Sequence, residues 1–341
     1  MAEKLGICLI GCGRAGMIHA RSYAGSVPGA ELVALCDPME ENLRLAQEEL
    51  PVERTYTDYN DVMDDDAVDA VVVVTPTQFH RDIVVAAARA GKHVFCEKPM
   101  ASSAEECDEM IEACAAAGVK LQLGFMRRFD ASFRRGKELI EEGAVGEVAM
   151  LKSNTYGPSE PKEWMYDVRK NQGPIGEVCS HDFDIIRWYA GAEAKYIYAM
   201  GNNTRSPEVA EQWPEYYDSC TAMIEFENGV LGVVTGAQYV RYGYDARTEI
   251  LGTHGIVKVG SQRANNVELV GADRRIHVDS MDSWRTLFKD AYVAEATEFV
   301  KAIREDSEPI VTGYDGKQAL LLVDAGVRSI LEGRKVEIGV D

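Results

Sequence analysis

The stretch that decides the fold is "KLGICLIGCGRAG", residues 4 to 16. Its apolar run predicts a β-strand, and Gly11, Gly13 and Gly16 follow it with the spacing G-x-G-x-x-G. Glycines at these positions permit a tight turn and a close backbone approach, and the helix that opens behind them points its N-terminus at a pyrophosphate. We therefore expect a dinucleotide-binding turn here, although a glycine turn that serves only packing has the same spacing.

The choice of dinucleotide depends on Asp37, which ends the next predicted strand about 20 residues after the glycines. A carboxylate at that point accepts hydrogen bonds from the adenosine ribose and repels a 2′-phosphate, so we predict NAD rather than NADP. Arg14 is the argument against, because a guanidinium nearby would compensate for a phosphate. We count Arg14 and Ala15 with the three glycines and Asp37 as cofactor-binding residues.

The first 125 residues continue as apolar strands that alternate with amphipathic helices. This rhythm is typical of a doubly wound parallel sheet of the Rossmann type. After Arg127 the rhythm changes to strand-like runs joined by turns such as "ENG" and "THG", which favours a large, mostly antiparallel open sheet with few helices. We expect an α/β chain with a NAD-binding Rossmann domain at 1–125 and a second α/β domain at 126–341, to which the resemblance described below assigns substrate binding and oligomerisation.

Composition excludes several classes of partner. The chain has 341 residues and a formal net charge of −20, which argues against nucleic acid and against an anionic membrane surface. Apolar runs such as "AVVVV" at 70–74 are far shorter than a membrane span, and the N-terminus lacks a signal-peptide pattern. Eight cysteines without a C-x-x-C pair indicate buried thiols rather than disulfides or zinc. We expect a cytoplasmic protein.

A polar stripe interrupts the second half in "GPIGEVCSHDFDIIRW", residues 173 to 188. If one helix begins at Gly173-Pro174, then Glu177, His181 and Asp184 share one face of it. A second polar candidate is Lys98 in "CEKP", which ends a predicted strand at the sheet edge where ligands bind in α/β folds. The alternatives are a satisfied core histidine and a surface lysine.

These motifs together carry a resemblance. "GCGRAGMIHA", "CDP", "TPTQFH", "EKPM", "GFMRRFD" and "HDFDIIRW", in this order, resemble the Gfo/Idh/MocA family of oxidoreductases, and most of all its inositol and sugar dehydrogenases. The resemblance implies hydride transfer between a nicotinamide and a carbinol of a polyol or sugar. It implies a catalytic role for Lys98 and His181 and substrate binding by Asp184. We also predict that Thr75, Pro76, His80 and Glu97 bind the cofactor, with packing at a helix N-terminus as the alternative for His80.

One position departs from the resemblance. Inositol dehydrogenases of this family usually carry aspartate four residues before the histidine, and this chain has Glu177. The longer side chain keeps the charge but moves it outward by about one C–C bond. The departure bears on which polyol is the substrate more than on the type of reaction.

The chemistry also follows from the residue types. An alkoxide expels hydride more readily than an alcohol does, so oxidation of a secondary hydroxyl needs a base, and an imidazole such as His181 has a suitable pKa. Lys98 would stabilise the negative charge that develops on the same oxygen, and Glu177 would orient His181 or raise its basicity. We therefore predict Lys98, His181 and Glu177 as catalytic residues, with Lys98 and His181 also binding substrate.

Three further residues are predicted to bind substrate. Arg127, just beyond the fifth predicted strand, would contact a hydroxyl or carboxylate, or else form a salt bridge on a helix surface. Asn154 and Trp164 lie in "NTYGPSEPKEWMYD", which we interpret as a loop over a sugar, with packing between subunits as the alternative.

Three classes of function remain open at this point. They are an NAD-dependent dehydrogenase of a polyol, inositol, sugar or glycoside, an NAD-using glycosidase or lyase that oxidises transiently, and a nucleotide-sensing regulator without chemistry. A metal site at Glu177, His181 and Asp184 is disfavoured, because ligands on successive turns of one helix converge poorly, so no metal is predicted. The strand-rich second half has few helices to cover it, so we expect a homo-oligomer, either a dimer or a tetramer.

Overall fold

The computed structural model describes residues 4–340, and they form two compact units. Unit 1 contains residues 4–129 and 290–320, and unit 2 contains residues 130–289 and 321–340. The predicted boundary at 125/126 divides the chain once, whereas segment 290–320 packs with the first part of the chain. Its helix buries Phe299 in the apolar cluster that contains Phe95, and the centroids of the two rings lie 5.9 Å apart.

Strands and helices alternate through residues 4–129. Their order is β1 (Leu5–Ile10), α1 (Gly16–Gly25), β2 (Ala30–Cys36), α2 (Glu40–Glu49), β3 (Arg54–Tyr56), α3 (Tyr59–Met63), β4 (Ala70–Val73), α4 (His80–Arg89), β5 (His93–Glu97), α5 (Ala104–Ala117) and β6 (Leu121–Gly124). The sequence predicted each of these except β3 and α3. Those two elements have only 3 and 5 residues, too short for a periodic pattern to be visible.

The strands of unit 1 form a six-stranded parallel sheet in the order β3-β2-β1-β4-β5-β6. Alternate residues of β1 belong to different apolar clusters, Cys8 and Ile10 to one and Ile7 and Leu9 to the other, so both faces of the sheet are covered. The predicted doubly wound Rossmann sheet is confirmed. Its strand order reverses between β1 and β4, the point at which such sheets bind ligands.

The rest of the chain contains more strands than helices. In order they are α6 (Ala131–Glu141), β7 (Val148–Tyr156), α7 (Val168–Asn171), α8 (Gly173–Glu177), α9 (Ser180–Ala190), β8 (Ala194–Asn202), β9 (Ser219–Phe226), β10 (Leu231–Ala237), β11 (Asp245–Gly252), β12 (Ile256–Val259), β13 (Arg263–Val270), β14 (Ile276–Ser280), α10 (Trp284–Leu287), α11 (Lys289–Arg304), α12 (Gly313–Glu332) and β15 (Val336–Glu337). Within residues 4–340 we find no helix that has both the length and the apolar character needed to cross a membrane.

Unit 2 is built on a seven-stranded sheet in the order β12-β11-β7-β10-β9-β8-β15. Only the pair β7 and β10 is parallel among these strands, so the predicted mostly antiparallel sheet is confirmed. Helix α9 packs on β7 and β10 on one face. Strands β13 and β14 form a separate two-stranded ribbon.

The prediction of one continuous helix over residues 173–188 is wrong. Helix α8 ends at Glu177 and α9 begins at Ser180, although Pro174 does lie in the first turn as expected. Between them the N–H groups of Val178 and Cys179 both donate to the Pro174 carbonyl, at 3.0 and 3.3 Å. The second of these spans five residues instead of four, so it interrupts the regular helical hydrogen bonding. Glu177 therefore does not share a helix with His181 and Asp184.

Candidate active site

The three glycines after β1 differ in the space around their Cβ positions. Gly11 has a φ of +102°, and a Cβ atom there would lie 2.4 Å from the Val74 carbonyl oxygen. A Cβ at Gly16 would lie 1.8 Å from the Gly11 carbonyl oxygen. Gly13, by contrast, has nothing within 4 Å of its Cβ position. The protein itself does not need a glycine at Gly13, which is the position where the backbone approaches a pyrophosphate in this type of turn.

Asp37 follows β2 and braces the glycine turn. One carboxylate oxygen accepts a hydrogen bond from the Cys12 N–H at 2.8 Å, and the other accepts from the Met39 N–H at 2.9 Å and from Asn42 Nδ2 at 3.0 Å. A carboxylate has about four lone-pair sites, so one remains for a ribose hydroxyl. Burial, followed by the charge of Asp37, raises the pKa of the Cys12 thiol to about 12, so this thiol stays protonated and unreactive.

The loop after β4 contains Thr75, Pro76 and His80. The Thr75 hydroxyl is buried and has no hydrogen-bond partner among residues 4–340, so it is a polar group that a bound cofactor would satisfy. His80 is 1% exposed, and its ring nitrogens contact the carbonyl oxygens of Thr75 at 2.8 Å and of Pro99 at 2.9 Å. Burial lowers the pKa of His80 despite these contacts. His80 therefore holds the backbone of the cofactor wall and presents no ring nitrogen on its surface.

Lys98 directly follows β5, in a turn whose backbone is held from both sides. The Lys98 N–H donates to Glu97 Oε2 at 3.0 Å, and the other Glu97 oxygen contacts Nε2 of His19 at 2.9 Å. His19 lies on α1 and is packed against the ring of Phe95 at 5.0 Å. The glycine turn and the Lys98 turn thus follow strands of one parallel sheet and are tied together through His19 and Glu97.

The two arginines after β6 are buried. Arg127 is fully buried and Arg128 is 4% exposed, with its guanidinium donating to Asp315 at 3.0 Å. The alternative interpretation of Arg127 as part of a salt bridge on a helix surface is therefore wrong, because it lies in the 3-10 turn Met126–Phe129. Substrate binding by Arg127 therefore remains the proposed role of this residue.

Helix α9 in unit 2 carries two of the predicted residues, together with one that the sequence analysis missed. His181 is 9% and Asp184 1% exposed. Asp182 is fully buried, and its two carboxylate oxygens accept hydrogen bonds from Ser153 Oγ at 2.5 Å and Thr155 Oγ1 at 2.6 Å. The available signal was the alternation of hydroxyl residues in "KSNTY", residues 152 to 156, which puts Ser153 and Thr155 on one face once the segment is known to be a strand.

The other predicted site residues of unit 2 lie on other elements than α9. Glu177 is exposed at the end of α8. Asn154 lies on β7 rather than in the loop where it was expected, and it alternates with Ser153 and Thr155, so its side chain is on the opposite face of the sheet from α9. Trp164 is 57% exposed in the 3-10 turn Glu163–Met165. The structure does not bring Asn154 together with His181.

Among residues 4–340 no group of three or more histidine, cysteine, aspartate or glutamate side chains is arranged to hold a metal ion. The disfavoured set of Glu177, His181 and Asp184 is divided between α8 and α9.

Two family models match the chain. One, described as an oxidoreductase family with an NAD-binding Rossmann fold, matches residues 5–125, and the other, the C-terminal alpha/beta domain of an oxidoreductase family, matches residues 137–338. Together they account for most of the sequence.

Individual relatives match over nearly their full length. Myo-inositol 2-dehydrogenase of Thermotoga maritima is 34% identical over 332 residues, which are 97% of this chain and 98% of that protein. The NAD(+)-dependent scyllo-inositol 2-dehydrogenase of Bacillus subtilis is 34% identical over 341 residues, 100% of this chain and 98% of the relative. The crystal structure of scyllo-inositol dehydrogenase from Lactobacillus casei, with bound NAD(H) and scyllo-inositol, has a TM-score of 0.91 at 28% identity and covers 99% of this chain and 100% of its own.

Proposed function

The chain belongs to the Gfo/Idh/MocA family of oxidoreductases, and from this premise we propose that it is an inositol dehydrogenase that oxidises a secondary ring hydroxyl with NAD. The observation that carries the proposal is the match over 97% of the chain or more to two inositol 2-dehydrogenases at 34% identity.

The residues of unit 1 fit a bound dinucleotide. Gly13 leaves its Cβ position open, Thr75 has a buried hydroxyl without a partner, and Asp37 keeps one acceptor site next to the turn. We propose that Gly11, Gly13, Arg14, Ala15 and Gly16 bind the pyrophosphate, that Asp37 binds the adenosine ribose, and that Thr75, Pro76, His80 and Glu97 form the wall of the cofactor site. Bound NAD supplies the hydride acceptor.

In the proposed mechanism the chain moves a proton and stabilises a charge. His181 receives the proton of the substrate hydroxyl, and the ammonium of Lys98 stabilises the negative charge that develops on the oxygen. Asp184, Arg127 and Trp164 would hold the other hydroxyls and the ring, and Glu177 would orient His181 or a substrate hydroxyl. We do not retain Asn154 in this set, because its side chain is on the other face of the sheet from α9.

The test is a substrate panel. Purified protein is incubated with NAD and each of myo-inositol, scyllo-inositol, hexoses and glycosides, while NADH is followed by absorbance and the substrate by mass. We expect NADH to form with an inositol, together with a product lighter by two hydrogens. Cleavage of a glycoside without net NADH would favour the glycosidase alternative, and no reaction with any compound would contradict a dehydrogenase of this class.

We also propose that the chain forms a homo-oligomer through the open face of the seven-stranded sheet. Leu231, Met150, Leu251 and Ile256 are paired across four neighbouring strands and form one apolar row. Leu231, Leu251 and Ile256 are 48%, 44% and 49% exposed. A row of this kind on a monomer is normally covered by a partner. Sedimentation at micromolar concentration should show a dimer or tetramer, and Leu251→Lys should shift it toward the monomer.

A cytoplasmic location is proposed from the cysteines. All eight are free and buried, which is typical of a protein kept in a reducing compartment. Fractionation of the cells that make the protein tests this location.

A further inference from the structure

We propose that Asp182 is a positioning residue, which fixes the rotation of α9 on the seven-stranded sheet and thereby aims His181 and Asp184. The inference rests on the proposed function, because it assigns the support of the proposed base. It concerns residues of unit 2 alone.

The contacts of Asp182 are those of a two-point attachment. Its two carboxylate oxygens accept from two different residues of β7, Oδ1 from Ser153 and Oδ2 from Thr155. These residues are two positions apart, about 7 Å along a strand. A single hydrogen bond would define only the distance of the carboxylate from the sheet, whereas two bonds at separate points also define its orientation. They add to the packing of the buried apolar residues of α9 on the sheet.

The hydrogen bonds continue into the next strand. Ser153 Oγ lies 2.9 Å from Thr248 Oγ1 on β11, the residue with which Ser153 is paired in the sheet. Because Ser153 has one hydroxyl proton and donates it to Asp182, Thr248 must donate to Ser153. All four residues are at most 3% exposed. The attachment is therefore buried, where a hydrogen-bonded carboxylate is held in a defined geometry.

The position of Asp182 in α9 determines how its hydrogen bonds orient His181 and Asp184. Successive helical residues are rotated by about 100°, so His181 lies about 100° and Asp184 about 160° from Asp182, and the two lie about 60° from each other. With Asp182 facing the sheet, Asp184 is on the side of the helix turned away from it and His181 is on the flank. A rotation of α9 would displace both residues together, and a displacement of about 1 Å in a reacting group costs roughly 10²-fold in rate.

The matched variants are Thr155→Val and Thr155→Ser. Valine removes the hydroxyl at nearly constant volume, whereas serine retains it. We expect Thr155→Val to lower kcat for the inositol by about tenfold or more. Thr155→Ser should stay within about threefold of the wild type, because it keeps the hydrogen bond. The dissociation constant of NADH should change little in either variant, since the glycine turn belongs to unit 1.

Asp218→Asn is the control for a merely structural role. Asp218 is also a fully buried carboxylate of unit 2, and it is bound by the Thr204 N–H at 2.7 Å and by Arg205 Nη1 at 2.9 Å. It should lower the unfolding temperature without lowering kcat, when activity is measured well below the transition. If Thr155→Val also lowers only the unfolding temperature and leaves kcat unchanged, Asp182 is a stability residue and the inference is overturned.

A second readout does not depend on the substrate. The chain has six histidines, so an NMR spectrum of the isotope-labelled imidazoles contains few signals. The signal of His181 is identified by its absence from the spectrum of His181→Gln. In Thr155→Val we expect the His181 signal to shift or broaden while those of His19 and His80 in unit 1 stay in place. Serine at Thr155 should leave all of them unchanged. An unaltered His181 signal in Thr155→Val overturns the inference, even if the wild type proves inactive on inositols and the proposed function fails.

Discussion

The two units hold their proposed catalytic residues in different ways. In unit 1 the turn that carries Lys98 is fixed through its main chain, with the Lys98 N–H bound to Glu97 and the Pro99 carbonyl in contact with His80. In unit 2 the helix that carries His181 packs on the sheet with its buried side chains, and its polar attachment is the carboxylate of Asp182, which accepts hydrogen bonds from two hydroxyls of β7.

This difference determines which residues tolerate substitution. A main-chain attachment depends on the path of the backbone, so Lys98 can be replaced without altering the contacts that hold its turn. A side-chain attachment depends on a few hydroxyls and a carboxylate that any single substitution can remove. We expect the placement of His181 to be the more sensitive of the two to changes in residues that do not touch the substrate.

The largest effects are expected from Lys98→Met and His181→Ala, each of which should lower turnover by about 10²-fold or more. NADH affinity should separate the two variants. It should stay within about twofold of the wild type in His181→Ala, and change more in Lys98→Met, whose turn follows a strand of the nucleotide-binding sheet. Steady-state rates and equilibrium titration with NADH measure both. Near-normal turnover of His181→Ala would show that α9 does not carry the base.

The next largest effect compares two glycines of the same turn. Gly16→Ala would place a Cβ 1.8 Å from a backbone oxygen, so this variant should unfold at a lower temperature or fail to accumulate. Gly13→Ala has no atom within 4 Å of the new Cβ, so it should keep the stability of the wild type. It should nevertheless lose about tenfold or more in NADH affinity, because the methyl group occupies the approach of the pyrophosphate. Full NADH affinity in a folded Gly13→Ala would contradict this position for the cofactor.

The contrast between the two units also explains which features could be predicted from the sequence. The glycine turn, Asp37 and the Lys98 turn are local motifs next to apolar strands, so they could be proposed from the sequence. The Rossmann sheet followed from the alternation of apolar strands and amphipathic helices. The attachment of Asp182 joins residues 27 and 29 positions apart in sequence, on elements whose facing sides only the tertiary structure determines. The break after Glu177 was missed because Val178 and Cys179 keep right-handed backbone angles, so no proline or glycine marks it.

Cofactor choice depends on Asp37 in unit 1. Asp37→Ser removes a charge-assisted acceptor for the ribose and the repulsion of a 2′-phosphate, so NAD affinity should fall and NADP use should rise, each by roughly tenfold. Asp37→Asn is the matched control, since it removes the charge but keeps an oxygen for the Cys12 N–H. It should improve NADP use with a smaller loss of stability. An unchanged ratio of kcat/KM for the two cofactors would mean that Asp37 only braces the turn.

His80, which contacts the turn that carries Lys98, should make the stability of the fold depend on pH. Burial lowers the pKa of His80, and burial and then Lys120 lower that of His93, so the unfolded chain binds more protons than the folded one near pH 6. Stability is then complete above the ordinary histidine pKa of about 6.5 and is lost as the pH falls through and below it. The unfolding temperature should decrease between pH 7 and pH 5, and less steeply in His80→Gln. An unfolding temperature of the wild type that does not change between pH 7 and pH 5 would contradict this prediction.

The smallest effect is expected at Glu177, which ends α8 and is exposed. Glu177→Ala should lower kcat/KM for an inositol by about tenfold, because a charge near the base is lost. Glu177→Asp keeps the charge but withdraws it by about 1.5 Å, so it should cost only a few-fold and raise the preference for an inositol over other polyols. Glu138→Asp, an exposed glutamate on α6, is the control and should change nothing. If Glu177→Asp is as damaging as Glu177→Ala, the reach of the side chain matters more than its charge, and the position has been adapted to a different ring.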